Sequence, residues 1–325
     1  MRRVATTLLL TFALGRALPG AAVEPSPRFV PPLHPAGVEL VPKELAPGVY
    51  ALMSPRPPVD NSGFVVGERG VLVIDAHING AMARQIQAAV RQVTDKPILY
   101  LVNTNFHGDH TFGNYAFPAE TRIVAHRLTA ERMRHFDEEK VLMNEAVNRD
   151  PAVLADVRLR MPDLTFDDTL KLDLGGRSVE LYHFGFGNTP GDTVVYVPEA
   201  KAAWTGNLVL GGDMPPFLLE GHPEEFLMTL ANFARTLDVR TIVPGHGPLT
   251  TAKALATDLD YLATLIQSMR ESVAAGRSLE ETMASSPLAE RFIPPLGDQA
   301  PRLLPFYQGV HTQNVWQVYR EMAKR

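Results

Sequence analysis

The run Ile98-Leu-Tyr-Leu-Val102, followed by Asn105-Phe-His107-Gly-Asp109-His110, decides how this chain is read. The apolar run has the character of a buried strand. Just beyond it, two imidazoles and a carboxylate fall on one short turn. A strand that stops and delivers such groups together is one way to build a zinc site. The spacing is that of an H-x-H-x-D-H metal motif with asparagine in the first position. A chance cluster of loop histidines and aspartates is the other reading, so the surrounding sequence has to decide.

Working outward, Gly48 to Met53 alternates like a strand, and Gly63 to Gly67 and Gly70 to Asp75 form a hairpin-like pair around Glu68-Arg69. Ala81 to Val93 has helical spacing, with Ile86, Ala89, Val90 and Val93 on one face. Thr121 to Ala125 reads as a strand, Leu128 to Val147 as a charged helix, and Asp156 to Asp168, which contains Pro162, as a loop or lid. In the second half, strands are expected at Thr169 to Leu174, Ser178 to His183, Thr193 to Val197, Ala202 to Thr205 and Arg240 to Val243. Helices are expected at Pro223 to Leu237, Leu249 to Ala275 and Val310 to Ala323. Two strand-rich halves with helices outside predict an α/β protein: an αββα sandwich of two sheets with helices on both outer faces.

The 325 residues are 45% hydrophobic and 21% charged, which suits a globular protein with a large core. A net charge of −5 with no basic patch argues against nucleic acid as a partner. Without cysteine there are no disulfides, and any metal must be held by His, Asp, Glu, Asn or water. Residues 1–22 read as a signal peptide: Arg2-Arg3, an apolar run from Val4 to Leu14, and Gly20-Ala21-Ala22 for cleavage. The apolar run is too short to span a bilayer, so export to the periplasm or medium is expected rather than stable membrane insertion. An uncleaved N-terminus is the alternative. Residues 23–44, proline-rich from Pro25 to Pro35, read as an extended arm before a domain at 45–325. The stretch Asp258 to Arg325 forms its C-terminal helical extension, which covers the site or makes a homodimer contact.

The order of motifs resembles the metallo-β-lactamase-fold hydrolases. The landmarks are Gly70-Val-Leu-Val-Ile-Asp75, Asn105 to Gly113, Gly185-Phe-Gly-Asn-Thr-Pro-Gly-Asp192, Trp204-Thr-Gly-Asn207 and Pro244-Gly-His-Gly247. The resemblance implies two mixed sheets flanked by helices and a site that usually binds two metals. This chain departs from that pattern at Asn105, Asn188 and Asn207. The first metal position keeps only His107, whereas the second keeps Asp109, His110 and His246, with the Asn207 amide oxygen beside them. The resemblance therefore implies one zinc per active site, a net charge near +1 there, and a water activated near neutral pH. His107, freed from ligation, is expected as general base or water-orienting group. Asn188 is expected to bond substrate or a water, or to be a remnant.

Within that superfamily, the set Asp109, His110, Asn207, His246 with an unligated His107 resembles the hydrolytic chlorothalonil dehalogenases. These replace an aryl chloride by hydroxide, and the implied partner is a small apolar halogenated aromatic. A one-zinc β-lactamase or other amide or ester hydrolase is the alternative, favoured by Asn105 and disfavoured by the absence of cysteine at 207. A non-catalytic binding protein is the third. Blander roles are assigned elsewhere. Asp75 orients the metal loop or only caps a turn, Asp192 caps or buttresses the Thr189 turn, and Trp204 and Trp316 pack. His77 and His183 are surface or satisfied core histidines rather than pocket lining. His135, with Asp137, Glu138 and Glu139, forms a solvated face rather than a peripheral metal site. Met214-Pro-Pro-Phe217 walls an apolar pocket or shapes a loop.

Overall fold

β-Branched and aromatic residues dominate the first half of the chain, and there the polypeptide builds a seven-stranded sheet. The computed structural model describes residues 29–220, 222–284, 292, 293, 296 and 300–324. The sheet order is β1 (Val41–Ala46), β2 (Val49–Met53), β3 (Ser62–Val66), β4 (Val71–Ile74), β5 (Ile98–Asn103), β6 (Arg122–His126) and β7 (Leu164–Phe166). β1 to β4 pair antiparallel and β4 to β7 parallel. The second sheet has five strands: β8 (Thr169–Asp173), β9 (Ser178–Tyr182), β10 (Val194–Val197), β11 (Ala202–Gly206) and β12 (Thr241–Pro244). Its β11–β12 pair is parallel and the others antiparallel. The expected αββα sandwich of two mixed sheets is what forms.

Strand β4 shows why its run is apolar throughout. Leu72 and Ile74 join Val102, Val195, Trp204 and Val243 between the sheets. Val71 and Val73 face outward and pack under Ala83, Ile86 and Val90 of α1 (Gly80–Val93). A strand covered on both faces needs no polar alternation. The outer face of the second sheet is covered by α5 (Pro223–Thr236), α6 (Ala252–Ala274) and α8 (Ala300–Ala323), through Phe226, Phe233, Leu265 and Val318. Among the described residues, further α-helices are α2 (Gly108–Thr111), α3 (Arg127–Met133), α4 (Phe136–Ala146) and α7 (Leu279–Ala284). Among the described residues, no helix is long and apolar enough to cross a membrane.

The charged helix expected over 128–147 is in fact α3 and α4. The amides of Arg134 and His135 bond back to Glu131 and Arg132 carbonyls at 3.3 and 3.0 Å, a tightened turn that ends α3 and re-aims the next helix. The expected loop over 156–168 contains β7, which adds an edge to the parallel part of the first sheet. α8 begins at Ala300 rather than Val310, because Phe306 and Tyr307 already bury against Leu210, Met214 and Phe217. β1 crosses the expected junction between arm and domain at 44/45. The signal peptide expected over 1–22 lies outside the described residues.

Candidate metal centre

The site lies past the carboxyl ends of parallel strands, where α/β sheets usually place ligands. β4 ends at Asp75, β5 feeds the loop carrying His107, Asp109 and His110, β11 ends before Asn207, and β12 leads to His246. Gly206 makes the β11 exit possible: its φ of +51° is left-handed, and a Cβ there would collide with the Thr104 hydroxyl. A loop from β2 completes the floor. Asn61 ties that loop to the His246 loop, its amide donating to the carbonyls of Pro244 at 2.9 Å and Gly247 at 2.8 Å. Its neighbour Asp60 is thereby fixed beneath the histidines.

Asp60, Asp109, His110 and His246 are all buried, and each offers a ligand atom within 4.8 Å of the others. His110 Nε2 lies 3.0 Å from Asn207 Oδ1 and 4.0 Å from a carboxylate oxygen of both Asp109 and Asp60. His246 Nε2 lies 3.5 Å from Asp109 Oδ2. Each histidine is held from behind. His110 Nδ1 is 2.9 Å from Asp75 Oδ2, and Asp75 also accepts from the Thr104 amide at 2.8 Å. His246 Nδ1 is 2.6 Å from the Pro58 carbonyl and 2.9 Å from Asp60 Oδ1. Both Nε2 atoms therefore point inward, the usual way that imidazole ligands are oriented.

The electrostatics call for a cation. Asp60 Oδ2, Asp109 Oδ1 and His107 Nε2 are buried without a hydrogen-bond partner, and Asp60 Oδ1 faces only His246 Nδ1, at 2.9 Å. Uncompensated buried carboxylates cost several kcal/mol each. Burial, with Asp109 close by, pushes Asp60 up to about 7, although His246 and His110 pull the other way. Burial opposes ionisation of Asp109 too, but His110, His246 and His107 outweigh it and hold its carboxyl below the usual range. Burial would lower His110, yet Asp75, Asp109 and Asp60 raise it well above an ordinary histidine. The donors fit a divalent metal: oxygens and imidazoles converge, and their orphaned atoms face one another. Asp60, Asp109, His110 and His246, with the Asn207 amide oxygen adjoining, would hold it.

The cluster opens into a cleft of about 560 Å³ including its mouth. Its lining is Phe29, Val30, Pro31, Leu33, Leu142, Met143, Leu210, Phe217, Leu219 and Phe306, with His107, Asp109, Asn207 and His246 at the base. Among the described residues, no Lys or Arg lines it. His107 aims Nε2 at this space while Nδ1 lies 3.1 Å from Glu139 Oε1. Glu139 also accepts from the Gly108 amide at 3.0 Å. Burial works against protonating His107, but Glu139 prevails and raises it.

A match to the metallo-beta-lactamase superfamily covers residues 56–246. The chain belongs to that superfamily. It is 23% identical over 297 residues to a linear primary-alkylsulfatase from Pseudomonas sp. (strain ATCC 19151), covering 79% of this chain and 54% of that protein. It is 27% identical over 188 residues to a 2,4-dinitroanisole O-demethylase subunit alpha from Nocardioides sp. (strain JS1661), covering 56% and 51%. The chain spans about half the length of these curated relatives. The solved metallo-beta-lactamase from Pontibacter korlensis shares the fold, with a TM-score of 0.57, 18% identity, and coverage of 69% of this chain and 99% of that one.

The three asparagines at superfamily positions have separate local roles. Asn105 Oδ1 accepts from the His107 amide at 2.8 Å and so shapes the metal turn. Asn207 adjoins the metal donors. Asn188, expected at the reacting centre, is fully buried and is not among the cleft-lining side chains. Its amide donates to the Phe217 carbonyl at 2.7 Å, which places it behind the cleft wall. His77 is buried at the edge of the cluster, with burial lowering it to about 3. His183 stacks on His126 at 3.9 Å, away from the cleft. Asp192 accepts from the Thr189 amide at 2.9 Å and hydroxyl at 2.6 Å.

Two residues escaped the sequence reading. Asp60 lies in a proline-rich loop with no motif around it, and only the fold brings it to His246. Glu139, which its charged neighbours place on a solvated face, is instead turned inward onto His107 by the break between α3 and α4. A carboxylate placed on α4 with Leu142 and Met143, which line the cleft, was the available signal.

Proposed function

We propose that the protein is a zinc-dependent hydrolytic dehalogenase, which replaces the chloride of an electron-poor aryl chloride such as chlorothalonil by hydroxide. One observation carries this reading: a cleft with apolar walls and, among the described residues, no lining cation ends directly on the metal donors and the unpartnered His107 Nε2. A neutral flat arene suits such walls. A sulfate ester or a lactam carboxylate brings a negative charge that these walls leave unpaired. The dinitroanisole demethylase relative is named for an arene that also bears electron-withdrawing groups, which supports a related substrate class here.

Zinc bound by Asp60, Asp109, His110 and His246 would supply Lewis acidity and make a water there more acidic. The chain's own residues do the rest. Glu139 accepts the hydrogen bond of His107 Nδ1–H, which keeps that proton on Nδ1 and leaves Nε2 with a lone pair facing the cleft. Nε2 accepts the water's proton as its oxygen bonds to the carbon bearing chlorine. Negative charge spreads into the ring and its nitriles. The carbon–chlorine bond then breaks, and the products are the hydroxyarene, chloride and the proton on His107. Phe217 and Leu142 hold the ring and keep bulk water from the base.

The test is chloride release from chlorothalonil by zinc-loaded protein beside a chelator-stripped sample. Zinc-dependent release is expected. A zinc-loaded sample that releases none, while opening lactams or cleaving esters, would refute the assignment.

A further inference from the structure

The roof of the cleft comes from the N-terminal arm, and its attachment is unusual. Phe29, Val30, Pro31 and Leu33 all line the cleft. Leu33 is tied down, its amide donating to the Ala146 carbonyl at 2.8 Å. Pro31 and Pro32 have no amide hydrogen to give. The outer end is held by a ring. Phe29 packs edge-on against Phe306, at 5.4 Å and 71°, and against Phe217, at 6.1 Å and 61°. Gly309 on α8 makes the seat: a Cβ there would overlap the Phe29 ring. Glycine inside a helix is unfavourable, and here its missing side chain is filled by an aromatic ring from the far end of the chain.

We propose that Phe29, latched on Gly309, is a specificity-determining residue that limits the cleft to single flat rings. The inference rests on the aryl-chloride reading above, but its mechanics need only an apolar arene. With the ring seated, the arm spans from α8 to Leu33 and closes the cleft against Leu142 and Phe217. With the ring displaced, the roof loses its anchor on α8 and the space above the metal donors widens.

The test uses the full chain with the variants Phe29→Ala and Gly309→Ala and the double variant. The probe is 1,3-dicyanobenzene, which has no halide to lose, with 1,4-dicyanonaphthalene as the larger ring. Binding is read by calorimetry and chloride release from chlorothalonil is read in parallel. Alanine suits a helix better than glycine, so Gly309→Ala should keep its melting temperature. Each single variant is expected to bind dicyanobenzene about tenfold more weakly. Each should also shift selectivity towards the naphthalene by about the same factor. The double variant should be no worse than Phe29→Ala, because both act through one ring. Unchanged binding in Gly309→Ala, or additive losses, would overturn the proposal. If the dicyano probes follow the expected pattern but no chloride is released, the latch stands and the dehalogenase reading falls.

Discussion

Glu139→Gln is the sharpest perturbation of the proposed chemistry, because it removes a charge and little else. Glu139 Oε1 receives the Gly108 amide at 3.0 Å and faces His107 Nδ1 at 3.1 Å. A glutamine carbonyl oxygen can accept from both donors, so the turn and the imidazole orientation survive. What disappears is the negative charge that favours a proton on His107. A hydrogen bond to a charged partner contributes about 1.5–3 kcal/mol. If that contribution is felt when His107 carries the water's proton, kcat should fall roughly ten- to a hundredfold. The KM for the arene should move less than about twofold, since Glu139 does not line the arene cleft. Zinc content should match the parent, because no Glu139 atom belongs to the donor cluster. The assay is steady-state chloride release with metal analysis of the same preparation. An unchanged kcat would refute His107 as the base supported by Glu139. Loss of zinc would instead show that Glu139 acts by holding the metal loop.

Other outcomes follow from the same geometry. His107→Ala should keep zinc and lose turnover by roughly 10²- to 10⁴-fold, whereas Asp109→Ala or His246→Ala should lose zinc and turnover together, as metal analysis beside activity will show. Asp75→Asn should weaken zinc affinity by roughly ten- to a hundredfold in competition with a chelator, because Asp75 orients His110 Nδ1. Asp60→Asn should also weaken zinc binding while leaving the arene cleft intact, and equal affinity in this variant would remove Asp60 from the ligand set. Burial, with His183 stacked against it, lowers His126 to about 4, so the unfolded chain takes up a proton that the fold refuses. Stability from this pair is complete above about pH 6.5 and falls as pH drops towards 4, by up to about 1.4 kcal/mol per pH unit. His126→Gln should flatten that part of a urea-unfolding series.

The fold was legible because its strands are written in patterns that burial demands. β4 and β5 are apolar on both faces since each is covered twice, and β11 carries Trp204 into the space between the sheets. The landmarks of the metal loop lie at strand ends, where the topology gathers them. Local periodicity failed where tertiary packing took over. Leu128 to Val147 has no proline or glycine to mark a break, yet the chain turns at Arg134 and His135. β7 is a three-residue edge strand, too short for any alternation to register. α8 starts early because Phe306 and Tyr307 find apolar partners that lie far away in sequence.

The site was only half legible, and Asp60 explains why the missing half matters. From the motifs alone the donor set has one carboxylate, which leaves a divalent metal with a net charge near +1. Asp60 adds a second carboxylate within reach of the same point. If both carboxylates are ionised, the net charge at the metal falls to roughly zero. Compared with the one-carboxylate set, such a centre binds its metal more firmly and acidifies water less strongly. Deprotonation then depends more heavily on a base poised at the water. His107, with Glu139 behind it and Nε2 free in the cleft, occupies that position. On the proposed chemistry the two residues without a motif act together: a carboxylate that quiets the metal would make the histidine–glutamate pair necessary. Asp60→Asn should therefore relieve part of the defect of Glu139→Gln when zinc is kept saturating.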